Sequence, residues 1–304
     1  MQQNINESTS KNKDLNRVNL EDKFICADNI GPGTESKIYG NDIVCNDHYS
    51  CALAIVQGTM NLVVNGIKLK LKANDYLTVM PYTNIEILSS RCNFFAIKIE
   101  AYIMNDIYET FGLNLGVKNG CYTFYHYHLT PRQINILLHD YQQIKSDMSN
   151  PAWRYMRTDL VKNRLSAYLA HKNTITDYLK PISHYEDNDS SRLFAQFLEL
   201  LDENYKSERS VQYYSDRLGV QPKSLSAATV KYTGKTASKV IDEYVTLRIK
   251  IVLYNNKHNI KEVSDMFNFA SQSFFGRYFK RVAGCSPRKY ISINSKKLSK
   301  QSGV

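Results

Sequence analysis

Two stretches in the last third of the chain read alike in register. The first is Ser215-Asp-Arg-Leu218-Gly219-Val220, then Gln221-Pro-Lys-Ser-Leu225, closing at Thr233-Gly234. The second is Ser264-Asp-Met-Phe267-Asn268-Phe269, then Ala270-Ser-Gln-Ser-Phe-Phe275, closing at Ala283-Gly284. Each spells a short helix with a small residue where another helix must cross it. A turn residue tolerant of left-handed backbone follows, then a second helix. One such hairpin constrains little. Two of them are joined by a single stretch, 237–255, that carries Val240, Tyr244, Leu247, Ile251 and Tyr254 at helical spacing. As a helix that connector is roughly 28 Å long, close to the roughly 34 Å between successive major grooves on one face of DNA. The pattern predicts an all-α unit whose second helices enter neighbouring grooves together.

The charge is distributed as that reading requires. The chain carries a formal +10, yet residues 190–304 hold 20 Lys+Arg against 9 Asp+Glu, leaving 19 against 20 elsewhere. The whole excess lies on the segment with the paired signatures, as a phosphate-binding surface needs. At 43% hydrophobic and 22% charged residues the composition is that of globular protein, with length for two domains. No apolar run is long enough to span a membrane. Residues 1–19, rich in Asn, Ser and Lys, read as a disordered tail without a signal-peptide core, and a cytoplasmic location is expected. The six cysteines (26, 45, 51, 92, 121 and 285) form no CxxC pair and are expected to be buried apolar residues, with a thiol sensor as the alternative.

Residues 20–100 read as β structure. Leu62–Val64 and Ile67–Leu71 flank Asn65-Gly66, the pair that favours a type I′ hairpin turn. Asn74-Asp75 marks the next turn, and Tyr76–Met80, Ile85–Leu88 and Phe94–Ile99 supply further short strands. Cys51–Gln57 is rich in apolar residues but alternates poorly. Many short strands with tight turns predict a small barrel or sandwich. Over 101–180 the period becomes helical. Thr130-Pro131 is an N-cap followed by proline at the first helical position, and Ile134, Leu137, Leu138, Tyr141 and Ile144 follow on one stripe. A second stripe runs through Tyr155, Leu160, Leu165, Tyr168 and Leu169. These two helices are expected to pack into the core or to form a dimer seam. Residues 178–191 are polar, contain Pro181 and read as a linker, with helix resuming at Arg192. Residues 292–304 form a basic tail.

Residues 192–291 resemble the DNA-binding region of the AraC/XylS family of bacterial transcription regulators. The matching text includes Leu218-Gly-Val, Pro222-Lys-Ser-Leu225-Ser, Thr233-Gly234-Lys, Arg248 and Ile260-Lys-Glu-Val263. It continues through Phe269, Gln272-Ser-Phe-Phe275, Phe279-Lys-Arg, Gly284 and Ser286-Pro287-Arg-Lys-Tyr290. The front half is similar in pattern to the cupin-like sensing domain of such regulators. The overall expectation is thus α+β: an N-terminal cupin-like β-barrel or sandwich, a helical dimerisation or linker region, and a C-terminal all-α domain with two helix-turn-helix motifs. Three departures stand out. Serine replaces the usual alanine at 215 and 264, and Asn268 replaces a glycine. Ala227-Ala228-Thr229 stands where a basic and two larger apolar residues are common, which predicts weaker packing of the first unit. Phe274, Phe275 and Phe279 are expected to anchor the second.

The residues expected to meet DNA are Lys223, Ser224, Ser226, Thr229 and Lys231 in the first unit. In the second they are Ser271, Gln272, Ser273, Arg277 and Lys280. Gln272 can pair bidentately with adenine and Arg277 with guanine. Arg248 is expected to be a structural ion-pair partner. The resemblance implies double-stranded promoter DNA and RNA polymerase as partners, a small-molecule effector, a homodimer and an activator role; no cofactor is expected. The rival is a cupin-type metal enzyme with a DNA-recruiting tail. It would draw on His48, His126 and His128, but no carboxylate lies at the spacing such cupins use and His126-Tyr-His128 falls past the expected barrel. Aromatic residues such as Tyr76, Tyr82, Phe94 and Phe95 could line a barrel cavity or simply fill the core.

Overall fold

A computed structural model describes residues 16–20, 24–28, 49–83, 85–111, 124–153, 156–182, 184, 188–254 and 258–299. The front half is an antiparallel sheet ordered β1-β2-β6-β3-β5-β7, with β4 paired to β3. Its strands are β1 (Asn16–Leu20), β2 (Phe24–Asp28), β3 (Tyr49–Val64), β4 (Ile67–Lys72), β5 (Asp75–Val79), β6 (Ile85–Glu100) and β7 (Phe124–His128). The expected short strands are therefore joined into two long ones. Cys51–Gln57 and Leu62–Val64 both lie on β3, and Ile85–Leu88 and Phe94–Ile99 both lie on β6. The β3–β6 ribbon stays continuous by taking up register shifts at Ile55/Gln57 and Asn61/Leu62. Gly58 beside the first shift has φ 85, and a β-carbon there would lie 2.2 Å from the Arg91 carbonyl, so only glycine fits. The hairpin turn at Asn65-Gly66 forms with φ 49 and 78, as its sequence requires.

Cys51–Gln57 alternates poorly because both faces of β3 are covered. Cys51, Leu53 and Ile55 point into one core with Met60, Leu62, Leu71 and Phe94. Ala54 points into the other, which continues through the helices. The sheet also extends beyond the expected 20–100 at both ends. β1 begins at Asn16, within the stretch read as a tail, and β7 pairs with β5 through Leu77↔His126.

Helices α1 (Ala101–Phe111) and α2 (Pro131–Ser149) pack against the sheet, and α3 (Arg157–Thr176) packs on both and reaches the sheet where the Tyr168 and Tyr76 hydroxyls meet at 2.9 Å. Thr130 caps α2 in a capping box with Gln133. Ile134, Leu137, Tyr141 and Ile144 of α2 and Val161, Leu165, Tyr168 and Leu169 of α3 are all buried within this one chain. Of the two stripes, Leu138 and Leu160 are half-buried, Tyr155 lies outside the described residues, and the others are buried within this chain. After the linker, α4 (Asp189–Asn204) starts three residues earlier than Arg192, where Asn188 and Ser191 form a capping box. The rest is helical: α5 (Val211–Arg217), α6 (Pro222–Thr233), α7 (Ala237–Tyr254), α8 (Ile260–Met266), α9 (Gln272–Ala283) and α10 (Pro287–Ser299). α10 runs through most of the stretch read as a basic tail. Tyr102 of α1 stacks on Tyr254 of α7 with ring centroids 3.9 Å apart, joining the two halves. Cys26, Cys51 and Cys92 are buried, as expected for apolar cysteines, and burial pushes the Cys26 thiol up to about 12, away from thiolate chemistry. Cys45, Cys121 and His48 lie outside the described residues.

Candidate nucleic-acid interface

The two signatures fold into the same turn, bond for bond. In the first, Leu218, Gly219 and Val220 donate their amides to Tyr214, Asp216 and Ser215 carbonyls at 3.1, 3.2 and 3.0 Å. In the second, Phe267, Asn268 and Phe269 donate to Val263, Asp265 and Ser264 at 3.1, 3.0 and 3.0 Å. Gly219 and Asn268 take the left-handed backbone that closes each turn, with φ 67 and 49. Both second helices end alike, on left-handed Gly234 and Gly284, whose amides reach the Val230 and Lys280 carbonyls.

Ser215 and Ser264 fill the crossing positions at 0% and 1% exposure, which explains the need for a small side chain. Their hydroxyls differ. Ser215 Oγ donates to the Gln212 carbonyl at 2.9 Å, whereas Ser264 Oγ has no partner among the described residues. An unsatisfied buried hydroxyl costs about 1–3 kcal/mol. Ser264→Ala should accordingly raise stability by about 1 kcal/mol, while Ser215→Ala should not. Urea unfolding of the two variants checks this, and a destabilised Ser264→Ala would refute it.

α7 holds the two units at a fixed separation. Its 18 residues give roughly 27 Å of helix. Arg248 Nη2 lies 2.5 Å from Asp202 Oδ1 on α4 and donates to Tyr244 at 2.8 Å, while Tyr244 donates to the same Asp202. Its guanidinium also stacks over Tyr205. Arg281 of α9 forks onto Asp242 of α7 at 2.8 and 3.1 Å. Arg209, just before α5, donates to the Phe267 and Asn268 carbonyls in the second unit's turn, at 2.7 and 2.9 Å. The same guanidinium lies 4.1 Å over the Phe269 ring. Sequence reasoning missed this brace, because nothing local to Arg209 points 58 residues ahead.

The expected DNA residues divide by where the helices place them. On α9, Gln272, Ser273, Arg277 and Lys280 are exposed, and Phe275, Tyr278 and Phe279 bury the opposite face. Ser271 is exposed but its hydroxyl accepts the Phe274 amide as the N-cap. Phe274 is 51% exposed beneath Arg277, so it does not anchor the helix; the anchors are Phe275 and Phe279. On α6, Lys223 and Ser224 are exposed and Ser226 is half-buried. Thr229 is a correction: it is fully buried and its hydroxyl donates to the Ser226 carbonyl, so it faces the core and not a groove. Lys231 is exposed on the last turn of α6, beside the Asn65-Gly66 hairpin of the front half. The predicted weak packing of α6 is offset from outside the motif. α4 packs on α6, stacking Phe194 on Tyr232 at 5.2 Å and setting Phe197 edge-on to Tyr214 of α5 at 5.6 Å.

The front half brings His126 and His128 to one buried carboxylate. His128 Nδ1 lies 2.7 Å from Asp75 Oδ1, and His126 Nε2 lies 3.2 Å from Asp75 Oδ2. The carboxylate missing from the local sequence thus arrives from β5, across the sheet. Burial alone would raise Asp75, but bonds from His126, His128 and the Lys72 amide outweigh it and hold its pKa below the ordinary carboxylate value. His126 Nδ1 is also 2.6 Å from His184 Nε2 of the linker, and the two rings stack. Ile182 donates its amide to the His126 carbonyl. His126 Nε2 faces Asp75 without hydrogen-bond geometry, His184 Nδ1 lies outside the ring-to-ring contact, and no group arranged to hold a metal ion is found among the described residues. A separate apolar cavity of about 30 Å³ lies between the sheet and α3. Tyr76, Ile97, Ile99, Met104, Tyr168 and Lys172 contribute to its walls. Of the aromatic residues considered from sequence, Tyr76 lines that cavity, while Tyr82, Phe94 and Phe95 are buried without lining it. No helix is long and apolar enough to cross a membrane among the described residues.

No curated protein sequence matches the chain. Among solved structures, an apo ToxT variant from Vibrio cholerae is 14% identical, covering 91% of this chain and 98% of its own at a TM-score of 0.37. A cupin protein from Bacteroides fragilis is 20% identical over 33% of this chain and 87% of its own, at 0.22. The helix-turn-helix domain family matches residues 214–292. That span begins at the buried Tyr214 of α5, takes in both turns and ends in α10. The C-terminal unit of this chain is an AraC-type helix-turn-helix domain.

Proposed function

We propose that the chain is a cytoplasmic transcription regulator that reads promoter DNA in two consecutive major grooves. α6 and α9 are the reading helices. The observation that carries this is the duplication: two turns of identical bonding joined by α7, whose roughly 27 Å of helix compares with a groove repeat of about 34 Å. On this reading Gln272 and Arg277 contact base edges, and Lys223, Ser224, Ser226, Ser273 and Lys280 position the protein on bases or phosphates. Ser271 acts chiefly by capping α9 at the DNA-facing end. Footprinting on upstream DNA should show two protected major grooves per protomer. Gln272→Ala and Arg277→Ala should each cost about 1–3 kcal/mol in preference for the cognate site over its point variants. Unaltered base preference in both variants would reject them as readers, leaving phosphate contact as their role.

The front half is the sensing domain of this reading. The cavity beside Lys172, at about 30 Å³, has room for only about two waters, so an effector whose anionic end met the buried ammonium, which has no ion pair among the described residues, would have to widen it. Activation through RNA polymerase and homodimer formation complete the proposal. Stoichiometric effector uptake that changes operator affinity would support it. With His126, His128 and Asp75 bound to one another, the metal-enzyme alternative gains no support from the site.

A further inference from the structure

Where the two halves meet, a cleft of about 340 Å³ opens between the β3–β4 hairpin and the last turn of α6. Asn65, Gly66 and Lys68 form one wall, Lys231 and Tyr232 the other, and His184 of the linker completes it. The walls are close: a β-carbon on Gly66 would sit 3.9 Å from the Lys231 carbonyl. Lys68 and Lys231 are exposed, and no acidic side chain is among the lining residues. Two ammonium groups on either side of a polar cleft repel each other unless an anion lies between them. His184 is held by its Nε2 against His126 Nδ1, which orients the ring and leaves Nδ1 out of that bond. Lys70 and Lys72 alternate with buried residues on β4 and carry the positive surface onward along its exposed face. Lysine is a point charge suited to phosphate oxygens, and the His184 ring can add a directed N–H.

We propose that this cleft binds a phosphoryl group and thereby ties the sheet domain to the first reading helix. The phosphoryl group comes either from the DNA backbone leaving α6 or from a soluble phosphorylated molecule. The DNA source rests on the reading above; the soluble source does not.

Two measurements on the full-length protein separate them. Inorganic pyrophosphate is titrated calorimetrically, and DNA affinity is measured across a salt series, for wild type, Lys68→Gln, Lys68→Gln/Lys231→Gln and the off-cleft control Lys70→Gln. If the DNA backbone is the source, Lys68→Gln should flatten the slope of log affinity against log salt by about 0.9, the worth of one phosphate contact. If a soluble ligand is the source, wild type should bind pyrophosphate, the double variant should bind it at least tenfold more weakly, and the salt slope of Lys68→Gln should match wild type. Lys70→Gln should leave pyrophosphate binding unchanged. No pyrophosphate binding together with an unaltered Lys68→Gln slope would overturn the site. A wild-type protein that binds no DNA at any salt would instead defeat the regulator reading, and the pyrophosphate titration would then decide the cleft alone.

Discussion

Arg248→Met should destabilise the protein by about 3 kcal/mol, the order expected when one partner of a largely buried ion pair is removed. The loss is not the worth of one hydrogen bond. Asp202 would keep its charge between α4 and α7, and Tyr244 would lose the guanidinium that shares the carboxylate with it. The stack over Tyr205 would go as well. Because the expense lies in the stranded carboxylate, Asp202→Asn added to Arg248→Met should recover a large part of it. Urea denaturation of the two single variants and the double closes the cycle. Additive losses would show that the pair is not coupled. Arg248 carries this effect through α7, the helix that joins the two hairpins, by tying it to Asp202 of α4.

Lys172→Met should stabilise the protein at neutral pH, and the wild type should grow more stable as the pH is raised from about 8 to about 10. Burial depresses the Lys172 ammonium to about 8, with Asp177 only partly opposing the shift. The unfolded chain holds that proton up to about 10.4. Between these values the unfolded state binds more protons than the folded one, so unfolding becomes harder as pH rises. Below about 8 both states are charged and the folded protein carries the whole penalty, about 3 kcal/mol at about 1.4 kcal/mol per pKa unit. Methionine fills similar space without charge, so Lys172→Met should remove the alkaline rise along with the penalty. Thermal melts at pH 7, 8, 9 and 10 compare the two proteins. An equal rise in both would assign the slope to another group.

The C-terminal unit was legible because its constraints are local. A small residue at a crossing, a left-handed turn residue, a capped helix start and a 3.6-residue stripe each act within a few positions, and each was visible at Ser215, Gly219, Asn268 and along α7. Exposure of Gln272, Arg277 and Lys280 followed from the same periodicity. Thr229 was misplaced because threonine can either face solvent or return its hydroxyl to a carbonyl one turn back, and the sequence does not choose. Phe274 falls outside for a different reason: the face of α9 that Phe275, Tyr278 and Phe279 bury leaves position 274 on its solvent side, at 51% exposure.

The sheet was harder to read. Two 16-residue strands looked like four short ones, because register shifts and Gly58 interrupt the alternation. β3 hid its alternation further by being covered on both faces.

From its sequence alone the chain determined its two helix-turn-helix hairpins, the helix that joins them and the confinement of positive charge to their segment, since each rests on neighbours along the backbone. Only the tertiary structure decided which residues meet from afar: Arg209 against the second turn, Asp75 between two histidines, Lys68 across a cleft from Lys231. Hydrogen bonds and charges act over a few ångströms of space, and the fold alone brings residues so far apart in the chain within that range.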